Sequence, residues 1–300
     1  MSHSCAETIA QTALALVFSF ALGGCATTAV VAADNGQPSE TASVVTPAGA
    51  PGKAGAGTIA NCTPESTEMV GPYRHNNNQW GHDKAKGKYE QCLLTRQLDG
   101  HTERGWTWSW PGFDASVFAY PEIELGWKPW SGGQSTDPRF PMKVAELPQL
   151  TLDYEVETVA EGSYDLAPEV WLMNGPGPFA AANPQSITTE VMFWMDYAAG
   201  ARPAGEVIEK PIIDGIEYEL WKADSIGKDA NGKGWLLLSF KSTTIRRKGT
   251  LELRTLLKHL IARRLVNPND YLGSVEFGNE VMGGSGTTWV KRFDVRVGAP

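Results

Sequence analysis

The chain has 300 residues, of which 42% are apolar and 20% charged, a composition that excludes a wholly disordered chain or a polytopic membrane protein. Its net charge of −8 excludes a nucleic-acid surface, which needs clustered Lys and Arg to neutralise phosphates. Eleven tryptophans against five histidines and four cysteines argue against a metal or thiol enzyme, and for a protein that stacks something flat on indoles.

The first apolar run, residues 13–24, spans about 18 Å as a helix, too short for a bilayer core, and reads as part of a signal peptide over 1–24. Leu22-Gly23-Gly24-Cys25 resembles a bacterial lipobox, which implies lipidation at Cys25 and an outer-membrane lipoprotein. The competing reading is cleavage after Ala33 and release of a soluble protein; in either case the protein is exported. Residues 25–60 lack Leu and aromatic side chains and read as a flexible tether, leaving 61–300 as one catalytic domain. With Cys5 removed and Cys25 lipidated, Cys62 and Cys92 are left to form a disulfide.

From residue 61 the pattern is mostly period two. Strands are predicted over 150–159, 169–173, 190–195, 216–223, 234–240, 274–281 and 288–297, separated by Gly, Pro, Asn and Asp turns. The fold class is therefore all-β, a sandwich or jelly roll of two packed antiparallel sheets. The exception is 251–266, where Leu253, Leu256, Leu257, Leu260, Ile261 and Leu265 recur at helical spacing, with Thr250 as N-cap and Asn267-Pro268 as the stop. Eight basic residues against one glutamate over 241–264 read as the solvated outer face of that helix. His75, His82 and His101 fall in loop-like sequence and carry no ligand spacing.

Strand alternation puts Glu190, Met192 and Trp194 on one face, with Val191, Phe193 and Met195 on the other. Glu169 pairs with Trp171 in the same way, and Glu276, Gly278 and Glu280 share a face. Carboxylates beside indoles suit a carbohydrate cleft, because sugar rings stack on indoles and two opposed carboxylates cleave the bond between rings. Alternation alone does not choose between Glu276 and Glu280.

Several segments resemble glycoside hydrolase family 12, the retaining endo-β-1,4-glucanases and xyloglucanases built on a β-jelly roll. They are Asn77-Asn78-Gln79-Trp80-Gly81, Ala119-Tyr120-Pro121-Glu122-Ile123 with Gly126, Tyr164 to Leu172, Thr189 to Trp194, and Gly278-Asn279-Glu280 with Gly283. The resemblance implies Glu190 as nucleophile, Glu280 as general acid/base and Glu169 as support for the nucleophile, where the family usually has Asp. It implies that Asn78, Trp80, Met192 and Trp194 line the glucan subsites; Trp171 falls on or near the same face by alternation, and Trp127 and Trp130, which follow the Tyr120-Pro121-Glu122 block, are expected at its rim. No metal or cofactor is implied, and the partner is a β-glucan met by a monomer. The alternatives are a non-catalytic glucan-binding lectin on the same jelly roll and a β-1,4-xylanase on a related one. Loops 129–141 and 174–187 are expected beside the cleft, and Trp106, Trp108 and Trp110 share a face that the sequence does not assign.

Overall fold

Period-two apolar patterning builds sheets, and in the computed structural model, which describes residues 57–112, 117–129, 135–176, 187–228 and 232–298, it builds two. The strands are β1 (Thr58–Asn61), β2 (Thr67–Val70), β3 (Tyr73–Asn76), β4 (Glu90–Leu98), β5 (His101–Trp110), β6 (Glu122–Gly126), β7 (Met142–Lys143), β8 (Leu150–Met173), β9 (Ile187–Trp194), β10 (Asp196–Tyr197), β11 (Glu206–Glu209), β12 (Ile212–Ile213), β13 (Ile216–Ile226), β14 (Trp235–Ser242), β15 (Lys248–Glu252), β16 (Tyr271–Gly278) and β17 (Val281–Val297). Among the described residues there is one α-helix, α1 (Leu253–Ala262).

Sheet A runs β1–β4–β5–β17–β8–β15. Sheet B runs β2–β3–β6–β16–β8–β9–β14–β13–β11 and is antiparallel except for the parallel pair β9–β14. The two sheets share β8: residues 150–164 pair with β17 in sheet A, while 167–173 pair with β16 and β9 in sheet B. The architecture is the expected β-jelly roll.

The inner faces meet in one core. Trp106 and Trp108 of β5, Tyr154 of β8, Phe193 of β9, Phe240 of β14 and Phe277 of β16 are all essentially fully buried there. Trp106, Trp108 and Trp110 thus share the core face of sheet A. The Cys62–Cys92 disulfide is present, with a sequence separation of 30, and ties the segment after β1 to β4. Closing a loop of that length is worth about 3–4 kcal/mol in the chain-entropy account.

The structure corrects several predicted boundaries. The strands predicted over 150–159 and 169–173 are one 24-residue strand. The polar, largely exposed stretch 160–163 reads as a break, but its backbone stays paired with β17. The glycine-rich stretch 283–286 likewise lies within β17, and Gly286 is required there because a Cβ would lie 2.3 Å from the Trp108 ring. The strand predicted over 274–281 stops at Gly278, so Glu280 sits in the turn between β16 and β17.

Helix α1 begins at Leu253, not 251, because the Glu252 carboxylate caps the Thr255 N–H, whereas Thr250 lies in β15 and donates to Asp153. It ends at Ala262 because Arg264 takes a left-handed backbone conformation (φ 60°) two residues later. Leu253, Leu256, Leu257 and Leu260 join the main core, where His259 meets the Phe240 ring, and the polar side faces outward. The neighbouring cations are engaged in ion pairs, Arg247 with Asp196, Lys248 with Glu155 and Arg263 with Glu209. His75 and His101 lie in strands rather than loops; burial lowers His75 to about 3, so it is neutral. Residues 1–24, the tether to residue 56, Cys25, Trp130 and the centre of the 174–187 loop lie outside the described residues.

Candidate active site

The face of sheet B turned away from the core carries a row of side chains in register across seven strands. Arg74 of β3 lies beside Glu124 of β6, then Glu276 of β16, Glu169 of β8, Met192 of β9, Ser239 of β14 and Trp221 of β13. The adjoining row holds Trp171 of β8, Glu190 of β9, Leu237 of β14 and Ala223 of β13. Alternation explains this: in β9, Val191 and Phe193 enter the core while Glu190, Met192 and Trp194 face the other way. Apolar neighbours exclude water from the carboxyls, and this sets their chemistry.

Burial first, then the charge of Glu280, push Glu190 up to about 8, while a hydrogen bond from Trp235 pulls it down. In that bond Trp235 Nε1 donates to Glu190 Oε2 at 2.6 Å. Glu280 is half-buried and is also raised by burial. Its carboxyl meets that of Asp165, which is held well above the carboxylate range by burial and then by Glu280. Glu169 is raised well above its ordinary value by burial and then by the charge of Glu190. Four carboxyls thus crowd together, and at neutral pH the group must hold protons.

The turn that presents Glu280 is fixed from the core. Asn279 Oδ1 accepts from Trp106 Nε1 at 2.7 Å and from Thr288 Oγ1 at 2.8 Å, while its Nδ2 donates to the Asp165 carbonyl at 2.7 Å. The Asp165 N–H also donates to the Glu280 carbonyl at 3.2 Å. Glu280 therefore stands on a clamped backbone.

Glu276 is placed differently. It is fully buried, accepts from Ser274 Oγ at 2.6 Å, and pairs with Lys128 Nζ at 2.6 Å. The same ammonium donates to both Glu122 oxygens, at 2.9 and 2.8 Å. Burial works against a charged Lys128, but Glu122 and Glu276 together hold its pKa well above normal. Glu122, Glu124 and Glu276 form the one trio of clustered candidate metal ligands among the described residues. Lys128 and Arg74 already supply its cations. Glu276 is thus held by Lys128 within the sheet, whereas Glu280 stands in the turn and is the charge that most raises Glu190.

The chain matches the model described as "Glycosyl hydrolase family 12" over residues 71–297. It belongs to glycosyl hydrolase family 12. A curated relative, "Endoglucanase S" of Pectobacterium parmentieri, is 30% identical over 225 residues, 73% of this chain and 80% of that protein. The family 12 xyloglucanase from Bacillus licheniformis superposes with a TM-score of 0.70 at 28% identity, covering 80% of this chain and all of that one. The endoglucanase Cel12A from Rhodothermus marinus, at 24% identity and TM-score 0.66, shares the fold over 80% of this chain and 99% of its own.

Within this family 12 hydrolase the remaining expected site residues fall as follows. Met192 and Trp194 pack with Ala167, Ala223 and Leu237 on the cleft face and are buried. Trp171 packs with Ile187 and Trp235 in a second cluster on the same face. Asn78 donates to Glu122 Oε1 at 3.0 Å and accepts from the Trp80 N–H at 3.3 Å, so it joins the Lys128 cluster to the exposed Trp80 indole. The Lys84 ammonium lies 4.7 Å over that ring. Trp127 is buried beside β16 rather than on a rim. At the far end of the face, Trp221 lines a cavity of about 470 Å³ with Arg202, Glu219 and Lys241.

Sequence reasoning on the hydrolase missed four residues: Trp235, Lys128, Asn279 as a clamp, and Asp165. The signal for Trp235 was available, since it precedes Leu237 by two residues and shares its face. What the sequence lacked was the pairing of β14 with β9.

Proposed function

We propose that the protein is an endo-acting β-1,4-glucanase that cuts plant-type glucans, xyloglucan included, by a retaining double displacement. Glu190 is the nucleophile and Glu280 the general acid/base. The observation that carries this reading is that Glu190, on a face lined with indoles, is pushed up by the charge of Glu280 from the neighbouring turn. Glu280 is the charge that most raises Glu190, and two carboxyls that close cannot both ionise freely.

Trp235 stabilises the ionised form of Glu190, and the ionised Glu190 favours a proton on Glu280. In the first step Glu190 attacks the anomeric carbon while the Glu280 proton passes to the departing glycosidic oxygen. In the second, ionised Glu280 takes a proton from water, and the resulting hydroxide displaces Glu190 from the sugar. Each carboxyl ends as it began. Glu169, raised by burial and then by Glu190, spares Glu190 a further negative charge on its flank. Asn78, Trp80, Met192, Trp194 and Trp171 are assigned to the glucan-binding face. Xyloglucan enters the reading because the Bacillus licheniformis relative is a xyloglucanase.

The test is digestion of xyloglucan, mixed-linkage β-glucan, carboxymethylcellulose and xylan, with product sizing and proton NMR of the earliest product. Internal cleavage of a glucan with the β-anomer appearing first is expected. Binding without turnover would establish the lectin, and xylan as sole substrate the xylanase; α-anomer first would exclude retention.

We further propose export through residues 1–24 and anchoring at Cys25, with 25–60 as tether and 61–300 as catalytic domain. Cys25→Ala is expected to move the enzyme from the membrane fraction to the soluble fraction of fractionated cells. Unchanged membrane association would remove the lipid anchor.

A further inference from the structure

The neighbour of Glu190 on β14 is unusual in kind. Strand β14 runs parallel to β9 with Leu237 opposite Glu190, and Trp235 lies two residues earlier on the same face. From there the indole reaches back along the sheet to put its N–H 2.6 Å from Glu190 Oε2, and no other donor bonds to that carboxyl among the described residues. The ring is held on three sides. Trp171 packs edge-on at 5.4 Å and 76°, Ile187 and Ile226 close the apolar cluster, and residue 227 is glycine. A Cβ at Gly227 would lie 2.0 Å from the indole Cη2, so the ring occupies space that any other residue there would fill.

On the opposite flank, Glu169 Oε1 is buried without a hydrogen bond, and Glu169 makes none to Glu190. Its side chain is one methylene longer than the Asp implied at this position by the family resemblance, and the contact such a residue would make is absent.

We propose that Trp235 is the positioning residue of Glu190, its indole N–H fixing Oε2 so that Oε1 is the oxygen presented to the anomeric carbon. This rests on Glu190 being the nucleophile. An indole keeps its proton throughout the working pH range, so the donation is constant, unlike one from a carboxylic acid. Hydrogen bonding to the ionised form also opposes the upward push of burial and of Glu280 on Glu190. The other ionisable groups that act on Glu190 are Glu280 from the β16–β17 turn, Glu276 of β16, Lys128 after β6 and Glu169 of β8. Of these Lys128 alone is a cation, and it is bound to Glu122 and Glu276.

The test is Trp235→Phe, which keeps an aromatic ring on the Trp171 side and removes the N–H donor together with part of the bicycle. A hydrogen bond to a charged group sets the scale. On a soluble aryl β-cellobioside the variant is expected to lose about 10- to 100-fold in kcat with KM nearly unchanged. The acid limb of its kcat/KM profile should move up by about one pH unit. Unchanged kcat and an unmoved acid limb, in a variant melting like the wild type, would overturn the proposal.

If Trp235→Phe does not fold, Trp235→Gln and Trp235→Met replace it. Both remove the ring, but Gln returns an N–H the same number of bonds from Cβ. The Gln variant is expected to keep the wild-type acid limb and the Met variant to shift it; equal limbs overturn the proposal. Wild-type enzyme is also treated with 2,4-dinitrophenyl 2-deoxy-2-fluoro-β-cellobioside and the labelled peptide sequenced. Label on Glu190 leaves the variants to decide the role of Trp235, whereas label on another residue overturns the nucleophile assignment and with it this inference.

Discussion

Glu190→Gln is expected to lower kcat/KM on β-glucan by about 10⁴-fold or more, with circular dichroism and thermal midpoint close to wild type. The amide is nearly isosteric and can still accept from Trp235, so packing is preserved. It cannot form the covalent intermediate, and the whole double displacement is lost with it. Removing a carboxyl that burial holds at about 8 also relieves crowding among the four acids, so stability is expected to hold or rise slightly. Glu280→Gln should cost less, about 10²- to 10⁴-fold, the usual worth of a general acid/base. Its loss should shrink on aryl glycosides whose leaving groups depart without a proton, and the alkaline limb of the pH profile should disappear. Near-wild-type rates for either variant on polysaccharide would remove that residue from the mechanism.

Lys128→Met is expected to destabilise the fold by about 3–5 kcal/mol, the range seen when one partner of a buried ion pair is removed. The ammonium makes three hydrogen bonds to Glu122 and Glu276 where both carboxyls are fully buried. Methionine fills the volume but leaves these oxygens short of their main cation. For a domain of this size each kcal/mol is worth roughly 2–4 °C, so the thermal midpoint should fall by about 10 °C. Lys128→Met combined with Glu276→Gln should recover part of the loss, because it removes a stranded charge along with the cation. A midpoint within about 2 °C of wild type for Lys128→Met would show that the cluster does not depend on its lysine.

The parts of the site that could be read from the sequence are those fixed by local geometry. The faces of β9 follow from alternation over six residues, and Glu190, Met192 and Trp194 emerge together on the side opposite Val191 and Phe193. What could not be read depends on distant pairing. Trp235 looks as much like a core residue as Trp106 until β14 is seen to run parallel to β9. Lys128 follows β6 as one more polar residue until β16 brings Glu276 to it from 148 residues away. Glu276 and Glu280 share a period-two face on paper, but the chain leaves the sheet after Gly278, so alternation no longer applies to Glu280. Thr250 is the better intrinsic cap for α1, but pairing of β15 with β8 holds it in a strand, and the cap falls two residues later at Glu252.

The passage of β8 from one sheet to the other has a consequence for how the molecule comes apart. Its backbone is common property: β17 and β15 grip one half, β16 and β9 the other, and the β16–β17 turn with Glu280 stands at the same crossing. A layer that shares a strand with its partner cannot peel away and leave the other intact. The domain should therefore behave as one cooperative unit, with no half-open state in which the binding face persists on a melted support. The two acids keep their spacing until the whole structure gives way at once.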